Sequence, residues 1–86
     1  MVPSEPESFE DRHLRALSAG FHGDEEGSLA AVQALVDERP DHELARYDLA
    51  MIQMMLGMYE EACANLRRLL EINPNFERAR VQMSFC

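Results

Sequence analysis

Arg46-Tyr47-Asp48-Leu49-Ala50-Met51-Ile52-Gln53, then Gly57-Met58-Tyr59-Glu60-Glu61-Ala62, then Leu70-Glu71-Ile72-Asn73-Pro74 is the stretch that decides the fold. By itself it reads as an apolar helix, a glycine corner, a second apolar helix and a proline stop. Against the rest of the chain it recurs. A shift of 34 residues lays Gly23 on Gly57, Pro40 on Pro74, Ala16 on Ala50 and Leu35 on Leu69. The same shift lays Ala45 on Ala79, and Arg12 on Arg46 and Arg46 on Arg80. A fixed period of this length marks stacked supersecondary units. Two full units cover 9–42 and 43–76, and the start of a third covers 77–86.

Within each unit the punctuation predicts two helices. Gly23 and Gly57 suit a left-handed residue closing a first helix. Pro40 and Pro74 stop a second, because proline cannot continue the hydrogen-bond ladder. Ser8, Asp24, Asp41 and Asn75 are the expected N-caps. The reading is five helices near 8–21, 24–38, 41–56, 58–72 and 75–86, with residues 1–7 a flexible tail ahead of a helical domain over 8–86.

This spacing resembles the tetratricopeptide repeat, whose pattern runs W-x2-L-G-x2-Y, then A-x3-F, then P. The second unit reads Arg46-x2-Leu49-Ala50-x2-Gln53, then Ala62-x3-Leu66, then Pro74. Arginine stands at the large aromatic position of every unit, and Gln53 at the tyrosine. The resemblance covers 9–86 and implies an all-α fold, an α-solenoid of antiparallel helix pairs with about two and a half units.

Helix geometry adds the ends of the stack. At 100° per residue, helix 41–56 carries two apolar stripes. One is Ala45, Leu49, Ile52 and Leu56; the other is Leu44, Tyr47, Met51, Met54 and Met55. One unit earlier the first stripe becomes Asp11, Arg15, Ser18 and His22, all polar. In the resembled family these positions face a preceding unit, so a polar face there is expected to cap the stack. In the third unit the stripe returns as Ala79, Met83 and Cys86, with no pairing helix to cover the other side. Self-association through this uncapped C-terminal helix is expected, and an ending inside a helix at Gln82–Cys86 fits a fragment of a longer repeat protein.

Composition narrows the chemistry. Sixteen acidic residues against eight basic ones give a net charge of −8, a field that repels phosphate backbones, so no nucleic-acid partner is expected. All the cations are arginines, which removes lysine-based covalent catalysis. The longest nearly apolar run, Leu49–Tyr59, is 11 residues and too short to span a bilayer, so no membrane insertion is expected. Cys63 and Cys86 lack metal-ligand spacing and are expected as two reduced structural thiols in a cytoplasmic protein. His13, His22 and His42 form no metal motif and read as surface or rim residues. Glu25-Glu26 and Glu60-Glu61 open second helices, where negative charge suits the helix N-terminus. No cofactor, metal site or catalytic residue is expected, and the chain reads as a non-enzyme. Arg12, Arg46 and Arg80 are expected to form a ladder that pairs with local acids or covers apolar surface, with a row of bidentate contacts to a carboxylate-rich partner as the alternative.

The resemblance also implies a binding surface, since first helices of successive units line a concave groove in that family. Carried onto this chain, the groove is His13, Leu17 and Phe21, then Tyr47, Met51, Met54 and Met55, then Val81 and Phe85. Flexible, polarizable methionine suits varied apolar ligands. The family's carboxylate clamp is not expected, because of the matching positions His13, Leu17, Asp48, Arg78 and Gln82 only Arg78 fits. The expected function is a protein–protein interaction scaffold binding an apolar peptide or helix. Two alternatives stand beside it: a small chaperone for a secretion or assembly substrate, and the docking or regulatory fragment of a larger multidomain enzyme.

Overall fold

The computed structural model describes residues 7–86, so the expected tail lies outside the described residues except for Glu7, which pairs with Arg15. Five helices follow in order: α1 Phe9–Phe21, α2 Glu25–Glu38, α3 Glu43–Met55, α4 Tyr59–Ile72 and α5 Glu77–Met83. Each packs on the next, α1 on α2, α2 on α3, α3 on α4 and α4 on α5. The result is an elongated stack of 47 × 27 × 18 Å.

The corners repeat atom for atom. At the end of α1, Gly23 N–H donates to Gly20 O and Asp24 N–H to Ala19 O, with Gly23 at φ 91°. At the end of α3, Gly57 N–H donates to Met54 O and Met58 N–H to Gln53 O, with Gly57 at φ 79°. Both are Schellman closures, in which a left-handed residue folds two amides back onto orphan carbonyls. Starts are less regular. The Ser8 hydroxyl accepts from Asp11 N–H and the Asp24 carboxylate from Gly27 N–H, as expected. Asp41 and Asn75 do not cap. The His42 Nδ1 accepts from Ala45 N–H at 3.2 Å in place of Asp41. Asn75 is drawn aside because its own N–H donates to the Asn73 side chain, and Phe76 stands at the start of α5 without a side-chain cap.

The core divides on two sides of α3. The first stripe packs inward as expected, while of the second Leu44 and Met55 stay exposed and Ala50, outside both stripes, is the buried member. Ala45, Leu49 and Ile52 pack with Phe9, Ala16, Val32, Leu35 and Val36 between the first and second units. On the other side, Ala50 meets Leu66, Leu69 and Ala79, with Tyr47, Met51 and Met54 packed against them. Leu49, Leu66 and Leu69 are fully buried, each contributing about 1.5–3 kcal/mol. The polar stripe of α1 faces outward, with Asp11, Arg15 and His22 exposed.

The arginine ladder dissolves into three local roles. Arg12 pairs with Glu38 of α2, and Arg80 lies exposed. Arg46 is half-buried: its Nε and Nη2 donate to Pro40 O at 3.2 and 2.9 Å, and its Nη1 to Asn65 Oδ1 at 2.8 Å. Asn65 in turn donates to Gln53 Oε1 at 2.8 Å, and Gln53 is buried. Two of the positions where the chain departs from the repeat pattern, Arg46 and Gln53, are thus joined through one residue of α4. A hydrogen-bonded seam replaces an aromatic one. Burial, and then the neighbouring Arg68, lowers the pKa of Arg46 from its ordinary value.

One expectation is overturned. Cys63 and Cys86 are not two free thiols but form a disulfide, with Cα atoms 5.9 Å apart. A helix running to residue 86 would carry the chain past α4. Instead α5 ends at Met83, the amides of Ser84, Phe85 and Cys86 bond three residues back, and the Ser84 hydroxyl donates to Val81 O. The tightened turn brings Cys86 to α4, and the open third unit is tied down covalently.

Candidate functional site

Leu17 and Phe21 lie on one face of α1, and Met51 and Met55 on the facing side of α3. These four come together around a cavity of about 280 Å³. Ser28 of α2 and Ile52 of α3, both buried, form its floor. Gly20 lets α1 close onto that floor, since a Cβ there would sit 3.2 Å from the Ser28 hydroxyl. Glu25 and Asp48 complete the lining, and no cation joins them.

The remaining five expected groove residues separate. His13 is buried rather than at the rim, and its Nε2 sits 2.7 Å from the Asp48 carboxylate across the α1–α3 gap. It is a strut. Its partner stands 35 residues away, and helix period gives no warning of a contact at that distance. Met54 packs into the second core cluster instead of lining the cavity. Tyr47 is half-buried with its ring 5.4 Å from Phe76, and the Arg78 guanidinium covers both rings. With Val81 it borders a separate hollow toward α5. Phe85 leaves the groove altogether. Because α5 stops at Met83, it projects beside Tyr59 and the disulfide, against α4.

Exposed apolar side chains extend this face beyond the expected groove residues, to Leu14 and to Leu44 of the second stripe. Leu14 is 67% exposed and Leu44 47%, alongside Phe21 at 88%, Met55 at 67% and Val81 at 61%. Leu14 precedes Phe21 by seven residues, and Leu44 precedes Met51 by seven, the spacing that keeps residues on one helix face. The signal for both was therefore present in the period. All five sit on first helices of their units, and Tyr59 is the single large exposed apolar residue that a second helix contributes among the described residues. The arrangement can bind apolar side chains. Among the described residues, no group of three His, Cys, Asp or Glu is placed to hold a metal ion.

The comparisons agree with this architecture. No curated protein matches the chain in sequence. Among solved structures, it is similar to the crystal structure of a tetratricopeptide repeat domain protein from Salinibacter ruber, with a TM-score of 0.80 and 18% identity. That match covers 90% of this chain and 92% of the other, and at this identity it speaks for the fold alone. The sequence model of the tetratricopeptide repeat matches residues 22–84, most of the chain. With the 34-residue period, the paired corners and the stacked helices already in place, the chain belongs to the tetratricopeptide repeat family.

Proposed function

We propose that this chain is a protein-interaction module that holds an apolar peptide or helix against its first helices, with Leu17, Phe21, Met51 and Met55 as the seat. Family membership supports a protein-interaction scaffold in general. One observation supports the finer reading: large apolar side chains are left in solvent on α1, α3 and α5 and are nearly absent from α2 and α4 among the described residues. A contiguous exposed apolar surface is costly to keep unless a partner covers it. Methionine at two of the four seat positions lets the surface reshape around different anchors.

The test separates binding from folding. Met55 is largely exposed, so Met55→Glu is expected to leave the unfolding midpoint within about 0.5 kcal/mol of the parent. The same change, alone or with Met51→Glu, is expected to weaken binding of an apolar helical peptide at least tenfold by fluorescence anisotropy. Equal affinity for parent and variants would remove the groove from the function.

Apolar side chains exposed on and just after α5 support self-association as a second, weaker contact. Val81 on α5 and Phe85 just after it are exposed and offer apolar area to another copy. Light scattering is expected to show a concentration-dependent dimer, and a strict monomer at high concentration would refute it. No helix among the described residues is long and apolar enough to cross a membrane. The cytoplasmic placement drew on reduced thiols, and the disulfide takes that support away, since such bonds persist mainly in oxidising compartments.

A further inference from the structure

We infer that the segment seated in the α1–α3 groove carries a basic residue beside its apolar anchor. The inference rests on the groove reading above and adds the charge of the partner. The cavity is apolar except at its edge, where the two charged residues are both acids, Glu25 and Asp48. Neither forms an ion pair with an arginine among the described residues. No arginine lines the cavity, and the four of the first three helices and their corners are engaged elsewhere: Arg12 with Glu38, Arg15 with Glu7, Arg39 over the Phe9 ring, and Arg46 in its seam with Pro40 and Asn65. Asp48 commits Oδ2 to His13, which fixes the carboxylate in place and leaves Oδ1 without a protein partner among the described residues. The described residues therefore present an oriented acceptor and a second carboxylate beside an apolar cavity, and no arginine among them is paired with either acid.

Size limits what enters. An apolar cavity of ~150 Å³ holds a benzene ring, so about 280 Å³ takes one or two bulky side chains rather than a whole helix face. The partner is thus a short amphipathic segment whose leucine- or phenylalanine-like anchor fills the cavity. A lysine or arginine one helical turn away reaches Asp48 and Glu25 by charge-assisted hydrogen bonds. The net charge of −8 steers such a segment toward the surface, and the two rim acids fix its register.

The experiment uses three short labelled helical peptides with the same leucine face and lysine, glutamine or glutamate on the flank. Anisotropy titrations are run against the full chain at low and high salt. The lysine peptide is expected to bind about tenfold more tightly than the glutamine one at low salt, and the glutamate peptide most weakly. Asp48→Asn, which keeps a hydrogen-bonding partner for His13, combined with Glu25→Gln, is expected to erase the lysine preference, so that the lysine and glutamine peptides bind the variant equally. The control Glu60→Gln with Glu61→Gln, on α4, is expected to preserve it. Equal binding of lysine and glutamine peptides would overturn the inference and leave the groove reading standing. A preference lost equally in the α4 control would also overturn it, as a general attraction to an acidic surface. Binding of none of the three would overturn the groove reading itself.

Discussion

Asn65 carries more of the second unit's integrity than its half-exposed position suggests. It accepts from the Arg46 guanidinium and donates to the Gln53 side chain, so one amide satisfies two otherwise stranded groups. Replacing it with leucine would keep the size and strand both. The expected loss is about 2–3 kcal/mol of unfolding free energy, since unsatisfied buried polar groups cost about 1–3 kcal/mol each and Arg46 keeps its bonds to Pro40. Adding Gln53→Leu to Asn65→Leu is expected to cost less than the two changes summed, because the second removes a group that the first had stranded. Urea melts of the four species in that cycle decide it. Strict additivity would mean that the seam carries no coupling. The sequence alone reveals Arg46 and Gln53 as departures from the repeat pattern but not their connection. Asn65 stands 19 residues from Arg46 on another helix, and only packing brings them together. His13 and Asp48 were illegible for the same reason. Leu44, by contrast, obeys the helix period and stands in the second stripe read from the sequence, and Leu14 obeys the same period on α1.

At the scale of elements, corners were legible and starts were not. A left-handed residue has one favoured solution, glycine, so Gly23 and Gly57 announced both first-helix ends. An N-cap has many solutions, and His42 took the role that Asp41 was expected to fill. The end of α5 was misread because its brake is a tertiary one: Cys86 is held at Cys63, and the helix must stop early to reach it. The corners invite a measurement free of side-chain clashes. A Cβ built at Gly23 or Gly57 meets nothing within 4 Å, so alanine there tests backbone conformation alone. Each substitution is expected to lower stability by about 1 kcal/mol, and the two by similar amounts, because the closures are equivalent. Thermal melts showing no loss at either position would mean that the corner relaxes into another turn. An alanine at Gly20 is a different experiment, since it presses on Ser28 and alters the floor of the groove.

Taken whole, the molecule is a line of neighbours. No helix packs broadly on any but the next, so stability is distributed as unit terms plus nearest-neighbour terms. The weak member is α5, seven residues long, uncapped by a side chain and too short to persist alone. What holds it is Ala79 and Met83 against the second cluster, together with a disulfide closing a sequence separation of 23. On the chain-entropy account, a loop of that size is worth about 3.4 kcal/mol. Reduction should therefore act locally before it acts globally. Hydrogen exchange after treatment with a dithiol is expected to show α5 and the facing part of α4 losing protection, while amides of α1 and α2 keep theirs. Cys86→Ser should reproduce the pattern without any reductant. Beyond α2, α1 meets α3 through Phe9 and Ala16 in the first core cluster and through the His13–Asp48 strut, and that cluster holds no residue of α4. That strut sits on the far side of α3 from the Leu66–Leu69 cluster and should not relay the loss. Should α1 and α2 lose protection in step with α5, the stack would be melting as a single cooperative body, and the additive description would have to give way.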